Sequence, residues 1–220
     1  MRCRGYVASC LFAVALLNPS GRAQQPSTQP PVQGKSSGNG SSAILDAGTI
    51  SGEAYRNTSF GFTCKIPFGW VDRTNEMSQD SNGDSKATKQ SILLLAVFEH
   101  PPEATGDSVN SAIVVAAEPT SSYPELQNAG QYFGPLTALT KSKGFRVVNE
   151  PYDFPVGATP LVRGDFAKPL GNLTMHQSTL VMLAKGYVLS FTFISGREDE
   201  LDEIVEGLNF ARKEAPAAHK

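Results

Sequence analysis

Cysteine is nearly absent from this chain, with three in 220 residues. Two of them, Cys3 and Cys10, lie in the first 23 residues, so the rest of the chain holds only Cys64. One cysteine cannot form an internal disulfide, so the folded part must be held by its core. Histidine is as scarce, with His100, His176 and His219 only. No CxxC, HExxH or paired His/Cys spacing occurs, which argues against a zinc site. No GxSxG nucleophile elbow occurs either. Positive charge is not in excess: 19 basic against 21 acidic residues give −2. A chain of this balance lacks the electrostatic footprint of a nucleic-acid binder. It is also poorly suited to holding anionic lipid by charge alone.

The N-terminus has the features of an export signal. Arg2 and Arg4 precede an apolar run, Tyr6 to Leu17, of 12 residues. Asn18, Pro19, Ser20 and Gly21 then break any helix, and Gly21-Arg22-Ala23 offers small residues around a cut after Ala23. Residues 1–23 are therefore expected to be a cleaved signal peptide. The run is short for a membrane span, though a retained anchor is the alternative. Val7-Ala8-Ser9-Cys10 resembles a lipobox, but Cys10 sits inside the apolar run rather than at its end. Cleavage removes three arginines and leaves 16 basic against 21 acidic groups, or −5. The expected location is periplasmic or secreted, with no stable transmembrane anchor after processing.

Residues 24–42 (QQPSTQPPVQGKSSGNGSS) carry one charge and one sizeable apolar side chain, Val32. Such a stretch cannot bury enough surface to offset its ordering entropy and is expected to be a disordered spacer, either a tether or a tail without a task. Gly34-Lys35-Ser36 imitates the end of a phosphate loop, but Gln29 stands where the earlier glycine is needed and no strand precedes it. One globular domain is expected over 43–212, followed by a disordered tail, 213–220, that includes His219.

Within the domain, apolar alternation predicts strands near Phe60–Ile66, Ser91–Phe98, Ser111–Ala117, Phe145–Asn149, Pro160–Phe166, Asn172–Leu183 and Val188–Ile194. Phe62, Cys64 and Ile66 share one face of the first, so Cys64 reads as a buried small hydrophobe rather than a reactive thiol. Ala184-Lys185-Gly186 predicts a tight turn between the last two strands. Leu201, Ile204, Val205 and Leu208 at i, i+3, i+4, i+7 predict a C-terminal helix, with Ser195 and Glu198 in capping-box spacing. A second helix is expected from Ser122, capped with Glu125, buried through Leu126, Ala129, Phe133, Leu136 and Leu139, kinked at Gly134-Pro135 and closed by Gly144. Residues 74–90 read as a long polar loop.

The order of these elements, with FGFTCKIPFGW (Phe60–Trp70) at the start, GYVLSFTF (Gly186–Phe193) in the late hairpin and Leu208-Asn209-Phe210 at the close, resembles the PsbP-like group. That group includes extrinsic photosystem II subunits, the Ran-binding Mog proteins and exported bacterial domains. The resemblance spans about Tyr55 to Phe210. It implies an α+β fold, a three-layer α/β/α sandwich around an antiparallel sheet, and a mostly non-catalytic, partner-binding role. No family catalytic residue carries over, and neither a photosystem metal site nor a Ran-binding surface is matched.

The remaining candidates are few. His176 falls in phase with Thr174 and Ser178, on a polar or helix-covered face, and His100 precedes Pro101-Pro102 at a strand end. Asp80, Asn82 and Asp84 imitate a calcium loop, but the glycine comes two places early and Ser91 stands where glutamate is required. Trp70 reads as a packer at the core edge, or else as the wall of a ligand groove. Asp72, Arg73, Arg163 and Asp165 adjoin strands and either pair internally or mark a partner surface. No catalytic, cofactor-binding or metal-ligating set is assigned, and no cofactor is expected. The reading is an exported, non-catalytic binding or assembly module for an unidentified envelope partner. The alternatives are a secreted hydrolase built from dispersed residues and a purely structural envelope component. Mass spectrometry of the exported pool from the native host should give an N-terminus near Gln24; an intact Met1 there would contradict the processing expectation.

Overall fold

Strand β10 (Tyr187–Ser195) alternates so that Leu189, Phe191 and Phe193 point to one side while Val188 and Ile194 point to the other. All five are buried, so both sides of this strand must be covered. The computed structural model describes residues 45–82, 91–101 and 108–211. The expected signal (1–23), spacer (24–42) and tail (213–220) lie outside the described residues. So do residues 83–90 of the polar stretch, Asp84 among them.

In chain order the elements are β1 (Thr49–Ser51), β2 (Ala54–Asn57), β3 (Phe62–Lys65), β4 (Val71–Asp72), α1 (Thr74–Asn82), β5 (Ile92–Phe98), β6 (Ala112–Pro119), α2 (Phe133–Ser142), β7 (Arg146–Asp153), β8 (Val162–Leu170), β9 (Leu173–Ala184), β10, α3 (Glu198–Glu206) and β11 (Leu208–Phe210). The main sheet is antiparallel with order β4-β5-β6-β10-β9-β8-β7. A smaller sheet runs β1-β2-β3-β11. Lys185 and Gly186 both have positive φ, at 52° and 79°, and Ala184 pairs directly with Tyr187. This is the two-residue turn whose twist suits a long hairpin.

The main sheet is the middle layer of an α+β sandwich. On one side Ile113, Val115, Leu180, Leu189, Phe191 and Phe193 pack against the small sheet and α3, through Tyr55, Phe62, Cys64, Leu201, Ile204 and Val205. The Phe62 ring meets Phe191 edge-on at 4.9 Å, a favoured aromatic geometry. On the other side Phe166, Val181 and Val188 receive Tyr132, Phe133 and Leu136, and a neighbouring cluster around Val114 and Ile194 receives Met77 of α1. One outer layer is therefore helical, while the other combines a helix with four short strands. Cys64 is fully buried, as its phase predicts.

Four local expectations are corrected. The C-terminal helix ends at Glu206, and Leu208 belongs to β11, paired with Cys64; it joins the same core from a strand. Ser195 does not cap α3. Arg197 is the N-cap, and the Ser195 hydroxyl donates to Glu200 Oε2 at 2.7 Å. The second helix starts at Phe133, not Ser122; the capping box is Asn128 with Gln131, ahead of a 3-10 turn over Ala129–Tyr132. Pro135 then falls in the first helical turn, where its missing N–H costs nothing, so no kink is needed. Lastly, the polar stretch opens as α1. Asp72 Oδ1 accepts from the Thr74 amide at 2.9 Å and from its hydroxyl, and Thr74 Oγ1 accepts from the Ala96 amide at 2.9 Å, tying the helix start to β5. β5 itself carries a bulge that puts Leu94 and Leu95 on one face.

Ile204→Ala should lower stability by about 2–5 kcal/mol, because it opens a cavity where α3 meets the sheet. Glu203→Ala, on the exposed side, should stay within about 0.5 kcal/mol. Urea melts of both variants check the pair; an unchanged midpoint for Ile204→Ala would remove α3 from the core.

Candidate functional site

Arg163 and Asp165 are two residues apart on β8, so both point to the face that carries α3. That face runs out of apolar cover toward β7, and a polar network takes its place. Asp165 is 7% exposed. Its Oδ1 accepts from Ser178 Oγ at 2.5 Å and Arg163 Nε at 2.8 Å, and its Oδ2 from Asn149 Nδ2 at 3.0 Å and the Tyr152 hydroxyl at 3.3 Å. The far end of Arg163 donates to Asp202 Oδ1 of α3 at 2.8 Å, and its guanidinium lies 5.1 Å from the centre of the Phe154 ring. One carboxylate thus joins β7, β8 and β9, and one guanidinium carries the link to α3. Burial works to raise the Asp165 pKa. The hydrogen bonds from Ser178, Arg163 and Asn149 outweigh it and hold the carboxyl below its usual range. A carboxylate so stabilised is a weak base.

A second buried carboxylate lies on the opposite face, at the end of β6. Glu118 is 3% exposed, and its Oε1 and Oε2 accept from the Tyr132 and Tyr123 hydroxyls at 2.7 and 2.5 Å. The two rings meet edge-on at 5.3 Å. Burial, with the neighbouring Glu118 charge, pushes the Tyr132 pKa well above its ordinary value, so it remains a donor. Glu200 is a third, smaller hub, accepting from Ser195 and, at 3.2 Å, from Ser111.

Beside the Asp165 hub lies an open groove of about 400 Å³. Asn128, Ala129 and Gly130 form one wall; Pro151, Tyr152 and Asp153 of β7, with Val162, form the other. β7 is an edge strand, exposed along most of its length, and its pairing with β8 slips on both sides of Asn149. Tyr152 belongs both to the groove and to the Asp165 hub. This volume falls within the range of small-ligand sites.

The sequence singled out half of this assembly. It named Arg163 and Asp165, which the structure pairs, and Asp72 and Arg73, which it places elsewhere, at the start of α1. It missed Asn149, Tyr152, Ser178 and Asp202, whose sequence distances from β8 conceal the contact, and it missed Glu118 entirely. The remaining candidates stand apart. His176 Nδ1 lies 3.3 Å from Glu198, and His100 Nε2 lies 3.5 Å from Glu99. Ser178 thus meets a carboxylate but no imidazole. Burial drives the Cys64 thiol up to about 12, which makes it a poor nucleophile at neutral pH. Trp70 packs partly buried at the edge of the main core, whereas its neighbour Phe68 is 90% exposed. Among the described residues no three His, Cys, Asp or Glu side chains gather as metal ligands. Among them, too, no helix is long and apolar enough to cross a membrane.

No protein-family model matches the chain, and no curated protein matches it in sequence. Solved structures do show a likeness. Cyanobacterial PsbP (CyanoP) from Synechocystis sp. PCC 6803 is 12% identical with a TM-score of 0.45, covering 79% of this chain and 98% of that one. PA94 from Pseudomonas aeruginosa is 12% identical with a TM-score of 0.35, covering 70% and 92%. LpqN of Mycobacterium tuberculosis, involved in cell envelope biogenesis, is 12% identical with a TM-score of 0.34, covering 69% and 83%. Likenesses of this order carry no site residue, ligand or partner to this chain.

Asp165→Asn should lower stability by about 3 kcal/mol, because it leaves Arg163 without its buried counter-charge. Asp202→Asn should cost less than about 1 kcal/mol, because Asp202 is mostly exposed. The folded Asp165 pKa is depressed, so its stabilisation is present above the usual carboxylate range and is lost as pH falls below about 4. Melting curves between pH 7 and 3 should fall more steeply for wild type than for Asp165→Asn; parallel curves would refute this.

Proposed function

We propose that this chain is a non-catalytic binding module of the cell envelope or exterior that holds a partner in the groove between β7 and residues 128–130. The observation that carries the reading is that both walls of this groove are backed by buried carboxylates. Asp165 supports the β7 wall through Asn149 and Tyr152, and Glu118 supports the other through Tyr123 and Tyr132. Buried polar networks cost free energy unless every member is satisfied, and here that expense falls on the groove walls. Preorganised walls reduce the ordering entropy lost on binding. The carboxylates of both hubs are engaged by neighbouring side chains that hold the elements together, which favours recognition over chemistry.

Blocking the groove tests the reading. Gly130 lies outside the left-handed region, and a Cβ there would meet only the Asn128 side-chain oxygen, at 3.3 Å, so Gly130→Arg fills the groove without backbone strain once that side chain shifts by a few tenths of an ångström. Asp153→Lys reverses the charge of the facing wall. Wild-type protein incubated with the native envelope fraction should retain a defined partner, identified by mass spectrometry. Both groove variants should lose it at unchanged melting temperature, while Phe68→Ser, at the β3–β4 turn, should keep it. Loss with Phe68→Ser and retention by the groove variants would move the binding surface to that turn. Turnover of an ester or glycoside panel, abolished in Asp165→Asn at a temperature where that variant is folded, would replace the binding reading with the hydrolase one.

A further inference from the structure

The groove walls differ in kind. The β7 wall is a strand hydrogen-bonded along β8. The opposite wall belongs to a segment, residues 120–131, that leaves β6 after Pro119 and reaches α2 with no strand and only 3-10 turns. None of its twelve residues is buried. Its backbone bonds are mostly local: the Tyr123 amide to Thr120 O at 2.9 Å, the Leu126 amide to Tyr123 O at 3.0 Å, and the Gln131 amide to Asn128 Oδ1 at 3.1 Å. Near its start, the Thr120 amide and hydroxyl both donate to Gly186 O, at 2.8 and 3.0 Å. Past its far end, Tyr132 is buried at the head of α2. Between these fixed points, Leu126 and Ala129 rest partly buried on the α2 cluster, and the Tyr123 hydroxyl reaches Glu118.

We infer that residues 120–131 are a hinged strap, the movable wall of the groove, latched shut by Tyr123 on Glu118. This inference rests on the groove being the binding site and concerns how that site opens. Glu118 suits a latch because its two oxygens are divided. Oε1 takes Tyr132, which is locked in the core, and Oε2 takes Tyr123, which is only half-buried. Releasing Tyr123 leaves Oε1 still paired with Tyr132, so the strap can swing while the buried end of the carboxylate keeps its donor. Releasing Tyr132 would strand a hydroxyl and a carboxylate inside the core. The fixed ends set the hinges at Thr120 and just before Tyr132. An open strap carries Asn128 and Ala129 away from Pro151 and Tyr152 and admits a bulkier occupant than the closed groove does.

Tyr123→Phe removes the latch hydroxyl and keeps the ring. Hydrogen exchange read by NMR on the full chain, with no partner present, should show the Leu126 and Gln131 amides exchanging about 10- to 100-fold faster, the range expected for one hydrogen bond to a charged group. Amides of β6, β9 and β10 should be unchanged. Tyr132→Phe serves as the contrast and should lower the melting temperature and accelerate sheet and strap together. Unchanged strap exchange in Tyr123→Phe would overturn the latch, since Leu126 and Ala129 would then hold the segment. Equal acceleration of strap and sheet would overturn it as well, by making Tyr123 part of the core. Because exchange is read without a partner, a failed latch and a wrong binding site are told apart: the first changes this experiment, the second only the capture assay.

Discussion

The structure depends on a sheet that is buried on both faces along β6 and β10. Ile113, Val115, Leu189, Phe191 and Phe193 fill one side, and Val114, Val188 and Ile194 the other. A sheet buried in this way cannot stand alone, because each face exposes apolar area until another layer covers it. α3 and the small sheet cover one face, and α1 and α2 the other. With Cys64 unpaired, stability rests on that burial. The outer strands differ. Among the described residues β7 has no neighbour on its far side, and toward it the apolar rows give way to Asn149, Tyr152, Arg163 and Asp165. Edge strands with slipped register and a proline, here Pro151, resist pairing with other chains, so β7 is suited to offering side chains rather than an open ladder.

The three carboxylate hubs follow from the same geometry. Glu118 and Glu200 sit near the end of β6 and the start of α3, and Asp165 sits within β8 where the apolar cover gives out; at each, the next layer must be held at an angle that packing does not fix. Glu200 ties the start of α3 to β6 and β10 through Ser111 and Ser195. Asp165 ties β7 and β9 to β8, and Arg163 extends the tie to α3. Glu118 ties the segment after β6 to the head of α2. Hydrogen bonds to a charged acceptor are roughly twice as strong as neutral ones and directional, so they fix orientation where apolar contact alone would allow sliding. For Asp165 and Glu118 the cost is a carboxylate removed from water, which is why both are held by several donors.

Much of this layout was legible in the sequence, and the remainder was hidden for identifiable reasons. Apolar patterning placed β3 and the six longer strands, β5 to β10, because side chains on a covered sheet must alternate or be apolar throughout. The Lys185-Gly186 turn and the phase of Cys64 followed from local chemistry. β11 was hidden because Leu208 continues the helical spacing of Leu201, Ile204 and Val205; only pairing with β3 makes Leu208–Phe210 a strand. α1 was hidden because its sequence is almost wholly polar, with Met77 packed on the core and Asp72 accepting from Thr74 at its start. The Asp165 hub was half visible: Arg163 and Asp165 share a strand face, but Asn149 and Ser178 reach Asp165 from 16 and 13 positions away and Asp202 reaches Arg163 from 39, separations that no local pattern records.

Glu118 shows how such a hub could have been found. The strand prediction stopped at Ala117 because a charge normally marks the end of a buried run. Yet Glu118 continues the even phase of Ala112, Val114 and Ala116, so ending the strand there required no change of backbone direction. A carboxylate in phase with a buried row must either leave the sheet or acquire donors. The next seventeen residues contain two tyrosines, Tyr123 and Tyr132, and no lysine or arginine. Neutral phenols are therefore the strongest donors that the following segment can bring. A phenol is long enough to reach back over a turn and apolar enough to be buried with its ring. Phase, charge and the donors available downstream together point to a tyrosine-held glutamate, and hence to a segment bound to the sheet by its hydroxyls rather than by its backbone.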